Sequence, residues 1–208
     1  MEKEIIKESL KGTPQGGLIS PVLANVYLHY VLDEWVEKWV KPRSKGYVEI
    51  VRYADDFIVM FQYENEAKAF YEVLKKRLLK FNLELEESKT RIIPFGRLKG
   101  SKESFDFLGF THINGRTRKG KYLVKHLTSK KKMKVKRQDF KMWMKENMHK
   151  PIIEVMDIIK RKLIGHYNYY GINNNSKSIS NYYLYVKWTT YRILNRRHQK
   201  RRRKAVQS

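Results

Sequence analysis

Residues 47–61 read Tyr-Val-Glu-Ile-Val-Arg-Tyr-Ala-Asp-Asp-Phe-Ile-Val-Met-Phe, two runs of β-branched and aromatic residues around Ala54-Asp55-Asp56. Runs of this composition about a short polar centre specify a β-hairpin. The hairpin sets two neighbouring carboxylates at its tip, where their repulsion calls for a cation or a basic partner. Hard divalent cations such as Mg²⁺ take oxygen ligands of this kind and keep open positions for phosphate oxygens. The plainer reading of an Asp-Asp turn is ordinary solvated turn chemistry.

The flanking sequence builds a mixed fold around this hairpin. Gly12-Thr13-Pro14-Gln15-Gly16-Gly17 is a turn-rich loop, and Ser20-Pro21 then reads as an N-cap and first-turn proline. Leu23, Val26, Tyr27, Tyr30, Val31 and Leu32 continue with helical period to about Trp39, and 42–46 is a loop. A second helix follows, capped by Asn65, with Ala67, Phe70, Leu74, Leu78 and Phe81 on one stripe. Residues 83–93 read as strand, turn and strand, and 105–110 as an aromatic strand before a Gly/Arg/Lys-rich turn at 114–121. From Thr128 the pattern is helical, with helices over 129–147, 151–170 and 178–199. The expected fold is α+β: a β-hairpin sheet with packed helices over 1–113, then a basic three-helix bundle over 114–208.

Charge separates the same two regions. The chain has 208 residues and a formal net charge of +24, yet 1–95 is neutral and 96–208 carries the whole excess. That imbalance points to a polyanionic partner, with the second region touching it. Two dense runs stand out: Lys130, Lys131, Lys132, Lys134, Lys136 and Arg137, and Arg196, Arg197, Lys200 and Arg201. Such runs neutralise phosphates, and the rings of Tyr167, Tyr169, Tyr170, Tyr182, Tyr183, Tyr185 and Trp188 supply stacking surface or core. The C-terminal run also reads as a tail or a nuclear signal. There are no cysteines, which excludes disulfides and thiol nucleophiles, and the six histidines show no zinc spacing. No secretory signal is legible, and no apolar stretch reaches the roughly 20 residues of a membrane span. A soluble intracellular protein is expected.

Tyr53-Ala54-Asp55-Asp56, preceded by Gly12-Thr13-Pro14-Gln15-Gly16-Gly17-Leu18-Ile19-Ser20-Pro21 and a helix with Ala24-Asn25, resembles the reverse-transcriptase palm, in particular that of the group II intron-encoded reverse transcriptase/maturase family. The order continues with Leu83 to Thr90, Phe107-Leu108-Gly109-Phe110, the segment Leu163 to Gly171, and Leu194-Asn195-Arg196-Arg197, which is similar to the maturase thumb. The resemblance runs from Gly12 to about Arg203. It implies Asp55 and Asp56 as catalytic metal ligands for Mg²⁺ in a two-metal site, and Lys89 as proton donor to pyrophosphate. It implies Gln15, Gly16, Tyr53 and Ala54 at the nucleotide pocket and Leu108, Gly109 and Phe110 as primer grip. Its partners are group II intron RNA, an RNA template with DNA primer, and deoxynucleoside triphosphates, in a cytoplasmic ribonucleoprotein and without a membrane.

The same resemblance requires a third carboxylate from a strand before the Gln15 loop, and Glu2, Glu4 and Glu8 match no such motif. The expectation is therefore a truncated or split enzyme, inactive by itself and completed by an upstream fingers/palm fragment. The alternatives are a non-catalytic, RNA-binding maturase-like splicing factor and a defective remnant.

Overall fold

The computed structural model describes residues 19–97 and 102–206, with side chains as far as Arg196. The fold is α+β, and its contacts divide into two compact units, Met1–Ile92 and Ile93–Ser208. This boundary precedes the 113/114 division expected from the motifs and groups residues 104–116, by contact, with the helical part.

In the first unit, α1 (Ser20–Leu28) runs into two wider, π-type turns, His29–Asp33 and Val36–Val40, and ends in a 3₁₀ turn at Lys41–Arg43. The single helix expected to Trp39 is thus re-registered part-way. Each π turn inserts a residue and rotates the apolar face. Leu23, Val26, Tyr27 and Tyr30 remain exposed, while Val31, Leu32 and Val36 are buried. Ser20 is the first helical residue rather than the cap: Ile19 holds that place, and its carbonyl accepts from the Val22 and Leu23 amides.

Strands β1 (Val48–Tyr53) and β2 (Asp56–Phe61) form the expected antiparallel hairpin, in the register Val48↔Phe61 to Tyr53↔Asp56. Helix α2 (Glu64–Lys80) packs Leu74 and Leu78 against Val31, Leu32, Val36 and Val48. Tyr63, in extended conformation, stands at its cap position instead of Asn65. Glu66 in the first turn accepts the Lys45 amide at 2.6 Å, which ties the 3₁₀ end of the first helix to α2. Asn82, at φ 54°, closes α2 with bonds from Asn82 N to Leu79 O and from Leu83 N to Leu78 O. That pair of bonds is a Schellman ending, in which an Asn accepts the left-handed position. Residues 83–93 hold no strand: Leu83 and Leu85 alternate inward onto the core but pair with no neighbour among the described residues.

In the second unit, β3 (Ser104–Phe107), β4 (Phe110–Arg116) and β5 (Tyr122–Thr128) form an antiparallel sheet in sequence order. The single strand expected over 105–110 is in fact the end of β3, a two-residue turn at 108–109 and the first residue of β4. β5 lies where no strand was expected, its alternation obscured by Lys125 and His126. Helices α3 (Lys130–Asn147), α4 (Ile152–Tyr170) and α5 (Ser176–Val206) follow, and α5 begins earlier and runs further than its periodicity suggests. Their core is Phe140, Met144, Val155, Ile159, Tyr182, Val186 and Ile193. Buried Asn175 joins the sheet to the bundle: its Oδ1 accepts the Thr128 amide at 2.9 Å, and its Nδ2 donates to the Tyr170 carbonyl at 2.8 Å. Among the described residues no helix is long and apolar enough to cross a membrane.

Candidate active site and nucleic-acid surface

The β1–β2 hairpin closes on Tyr53↔Asp56, which leaves Ala54 and Asp55 as a two-residue turn. Ala54 has φ 53° and Asp55 does not share the positive sign, a pattern that places glycine at the first position in most hairpins. Tyr53, Ala54, Asp55 and Asp56 are all exposed, so the structure brings these four expected residues together at one tip.

What holds the tip is Arg52. Period-two alternation puts it on the face of β1 that carries Val48 and Ile50, and its side chain is only 12% exposed. Its guanidinium donates to Asp33 in a fork, Nε to Oδ1 at 2.8 Å and Nη2 to Oδ2 at 2.6 Å. Nη1 donates to Asn25 Oδ1 at 3.0 Å and to the Ala54 carbonyl at 2.8 Å. The turn is therefore pinned to the first helix through one side chain. Burial alone would raise the Asp33 pKa, but the Arg52 bonds and charge, with His29 adding, hold it below the ordinary carboxylate value. Arg52 and Asp33 were not among the expected site residues. Once the hairpin register is known, an arginine on the buried strand face calls for a carboxylate partner, which Asp33 supplies beside buried Val31 and Leu32.

With its charge satisfied by Asp33, Arg52 does not neutralise the tip. The Asp55 and Asp56 carboxylates take no hydrogen bond or ion pair from another described residue. Two adjacent exposed oxygen donors with no protein counter-charge fit a Mg²⁺ ion, which is bound through one or two carboxylates with water and phosphate completing its shell. Among the described residues no group of three or more His, Asp or Glu assembles. Gln15 and Gly16 lie outside the described residues. Lys89 is exposed in a turn whose amide bonds back to Glu86 O at 3.1 Å, and among the described residues nothing links it to the hairpin tip.

In the second unit the β3–β4 turn is Leu108 (φ 48°) and Gly109 (φ 79°), both in the left-handed region that a type I′ hairpin requires. Its carbonyls are taken: Tyr169 Oη donates to Leu108 O at 2.8 Å and Ser129 N to Gly109 O at 2.9 Å. Phe110 lies against the Tyr169 and Tyr170 rings, with centroids 5.7 and 5.2 Å away. A Cβ on Gly109 would stand 3.1 Å from Tyr170 Oη. The Leu108 and Gly109 amides have no backbone acceptor among the described residues.

The basic run on α3 divides by direction. Lys130, Lys131, Lys132 and Lys134 are exposed. Lys136 turns inward, its Nζ 5.4 Å from the Tyr170 ring centre and 5.7 Å from that of Tyr182. Burial, with Lys162 nearby, keeps this ammonium below the usual lysine pKa. Arg137 is half-buried with its guanidinium 5.2 Å over Tyr185. Arg196 is exposed on α5; the side chains of Arg197, Lys200 and Arg201 lie beyond those described. The aromatics divide likewise: Tyr170 and Tyr182 are core, while Tyr169, Tyr183 and Trp188 are exposed.

No curated protein matches the chain significantly. The family model described as reverse transcriptase (RNA-dependent DNA polymerase) matches residues 2–112, just over half the chain, spanning the carboxylate hairpin, the Arg52–Asp33 anchor and the β3–β4 turn. The chain belongs to the reverse transcriptase (RNA-dependent DNA polymerase) family.

Proposed function

We propose that this chain belongs to an RNA-directed DNA polymerase of a group II intron with maturase activity, and that its described residues do not complete a catalytic site by themselves. The observation that carries the reading is the tip of the β1–β2 hairpin, where Asp55 and Asp56 stand exposed and unneutralised within the family-matched segment. Asp55 and Asp56 would hold Mg²⁺, which when bound lowers the cost of charge on the attacking and leaving oxygens in phosphoryl transfer. Arg52 fixes the backbone that carries both carboxylates, and the small Ala54 keeps the tip open to a primer terminus. A third carboxylate would have to join Asp55 and Asp56, since no group of three acids assembles among the described residues. The basic face of the second unit holds template–primer and intron RNA, with the Leu108–Gly109 turn against the primer.

A second reading, a non-catalytic splicing factor that binds RNA, is favoured by one observation: the whole positive excess lies in 96–208, and 93–208 is compact without the carboxylate hairpin. Primer extension on an RNA template with Mg²⁺ separates the readings. The chain alone is expected to give no product, and a supplied fingers/palm fragment is expected to restore synthesis that Asp55→Ala abolishes. Synthesis by the chain alone, lost in Asp55→Ala, overturns the inactivity. No synthesis with any complementing fragment supports the second reading.

A further inference from the structure

The facing stripes of α3 and α5 enclose two adjoining hollows of about 400 and 380 Å³ that share Arg137 and Asn181. One is lined by Lys130, Lys134 and Arg137 with Gln138 and Ser178, the other by Arg137 and Arg192 with Leu184, Tyr185, Trp188 and Thr189. On α3 the cations recur at i, i+4 and i+7, and on α5 Asn181, Tyr185, Trp188 and Arg192 recur at three- and four-residue intervals, so each helix contributes one face. Four cations and no carboxylate line the groove. Trp188 is 53% exposed and held edge-on by Tyr191, with ring centroids 6.0 Å apart. The Tyr185 hydroxyl donates to the Arg137 carbonyl at 3.0 Å, which fixes the two walls to each other.

We infer that this groove binds an unpaired polynucleotide strand, its phosphates along Lys130, Lys134 and Arg137 and one base stacked on Trp188 beside Arg192. A duplex offers phosphates to the cations but keeps its bases stacked inside, so it leaves Trp188 unused. An unpaired strand satisfies both: backbone charge meets the cationic end, a π-face meets the indole, and Asn181 and Thr189 are at hand for a base edge. The inference deepens the proposed nucleic-acid role of the second unit and rests on it. It adds a specific site and a preference for unpaired strand.

The test is fluorescence anisotropy of the full chain with labelled 12-nucleotide RNA, DNA of the same sequence, and the corresponding blunt duplex. Trp188→Ala is expected to weaken unpaired-strand binding about tenfold and to leave duplex binding within about twofold, while Trp188→Phe retains most of the affinity. Lys134→Gln and Arg192→Gln are each expected to lower the salt slope by about one. Lys187→Gln, an exposed cation on α5 outside the groove, serves as the control, and circular dichroism establishes that each variant is folded. A loss on RNA, DNA or both supports the groove and shows which strand it takes. A Trp188→Ala effect no greater than that of Lys187→Gln, or equal on duplex, overturns this inference alone. A chain that binds none of the three probes overturns the proposed nucleic-acid role as well.

Discussion

Replacing Arg52 by Met keeps much of the aliphatic volume and removes four donated hydrogen bonds, two of them to the Asp33 carboxylate. Asp33, 23% exposed, is then left with His29 Nδ1 at 3.4 Å as its nearest partner. A hydrogen bond to a charged group contributes about 1.5–3 kcal/mol, and orphaning a part-buried carboxylate lies at the upper end of that range, so the loss expected is about 3 kcal/mol. Asp33→Leu alone should cost a similar amount, because it strands the guanidinium. Arg52→Met with Asp33→Leu should cost at least about 2 kcal/mol less than the sum, since neither charge is then unpaired. Arg52→Lys should recover little, because an ammonium cannot reproduce the fork. Hydrogen exchange of the 48–61 amides reads this locally: 3 kcal/mol corresponds to roughly a hundredfold faster exchange. A change below about threefold in Arg52→Met, or strict additivity in the double variant, would refute the claim that this pair pins the tip.

At Ala54 the positive φ makes glycine nearly free of net cost, because relieved strain offsets the extra chain entropy. Ala54→Gly should stay within about 0.5 kcal/mol by the same exchange measurement, whereas the β-branched Ala54→Val should cost about 2 kcal/mol. In the bundle, His166 is fully buried between Tyr170 and Tyr182 with neither ring nitrogen partnered, and burial, with Lys136 adding, depresses its pKa to about 4. An unfolded histidine takes its proton near pH 6.5, so this contribution is intact above that value and is lost as the pH falls towards 4. Urea unfolding should show about 2 kcal/mol less stability at pH 5 than at pH 7 from this group, and His166→Phe should remove that part of the dependence.

The carboxylate hairpin was legible because β-branched runs flank a short polar centre, although Asp56, read as part of that centre, pairs with Tyr53 as the first residue of β2. Helix α4 was equally plain, bounded by Pro151 and Gly171 as its structure shows. Residues 105–110 were not, since Leu108 and Gly109 form a left-handed turn inside a Phe-rich segment that reads as one strand. Leucine there is tolerated because Tyr169 and Ser129 satisfy the turn's carbonyls, a tertiary effect with no local signature. The π turns were invisible for a related reason. Their inserted residues shift the helical face so that Val31, Leu32 and Val36 reach the core, an outcome decided by packing against α2. At the site, Asp55 and Asp56 announced themselves as charges, but the arginine that aims them did not. Arg52 reads as one more basic residue until the strand face is known. Lys136 shows the converse: counted with its exposed neighbours, it belongs instead with the Tyr170 and Tyr182 rings.

The proposed divalent-cation site at the tip of the β1–β2 hairpin is tested by paramagnetic broadening with Mn²⁺ in place of Mg²⁺, which does not rely on catalysis. Amide NMR spectra are expected to show broadening centred on Ala54–Phe57, lost in Asp55→Asn with Asp56→Asn and weakened in Arg52→Met. Broadening centred elsewhere, or unchanged when both aspartates are replaced, would contradict it.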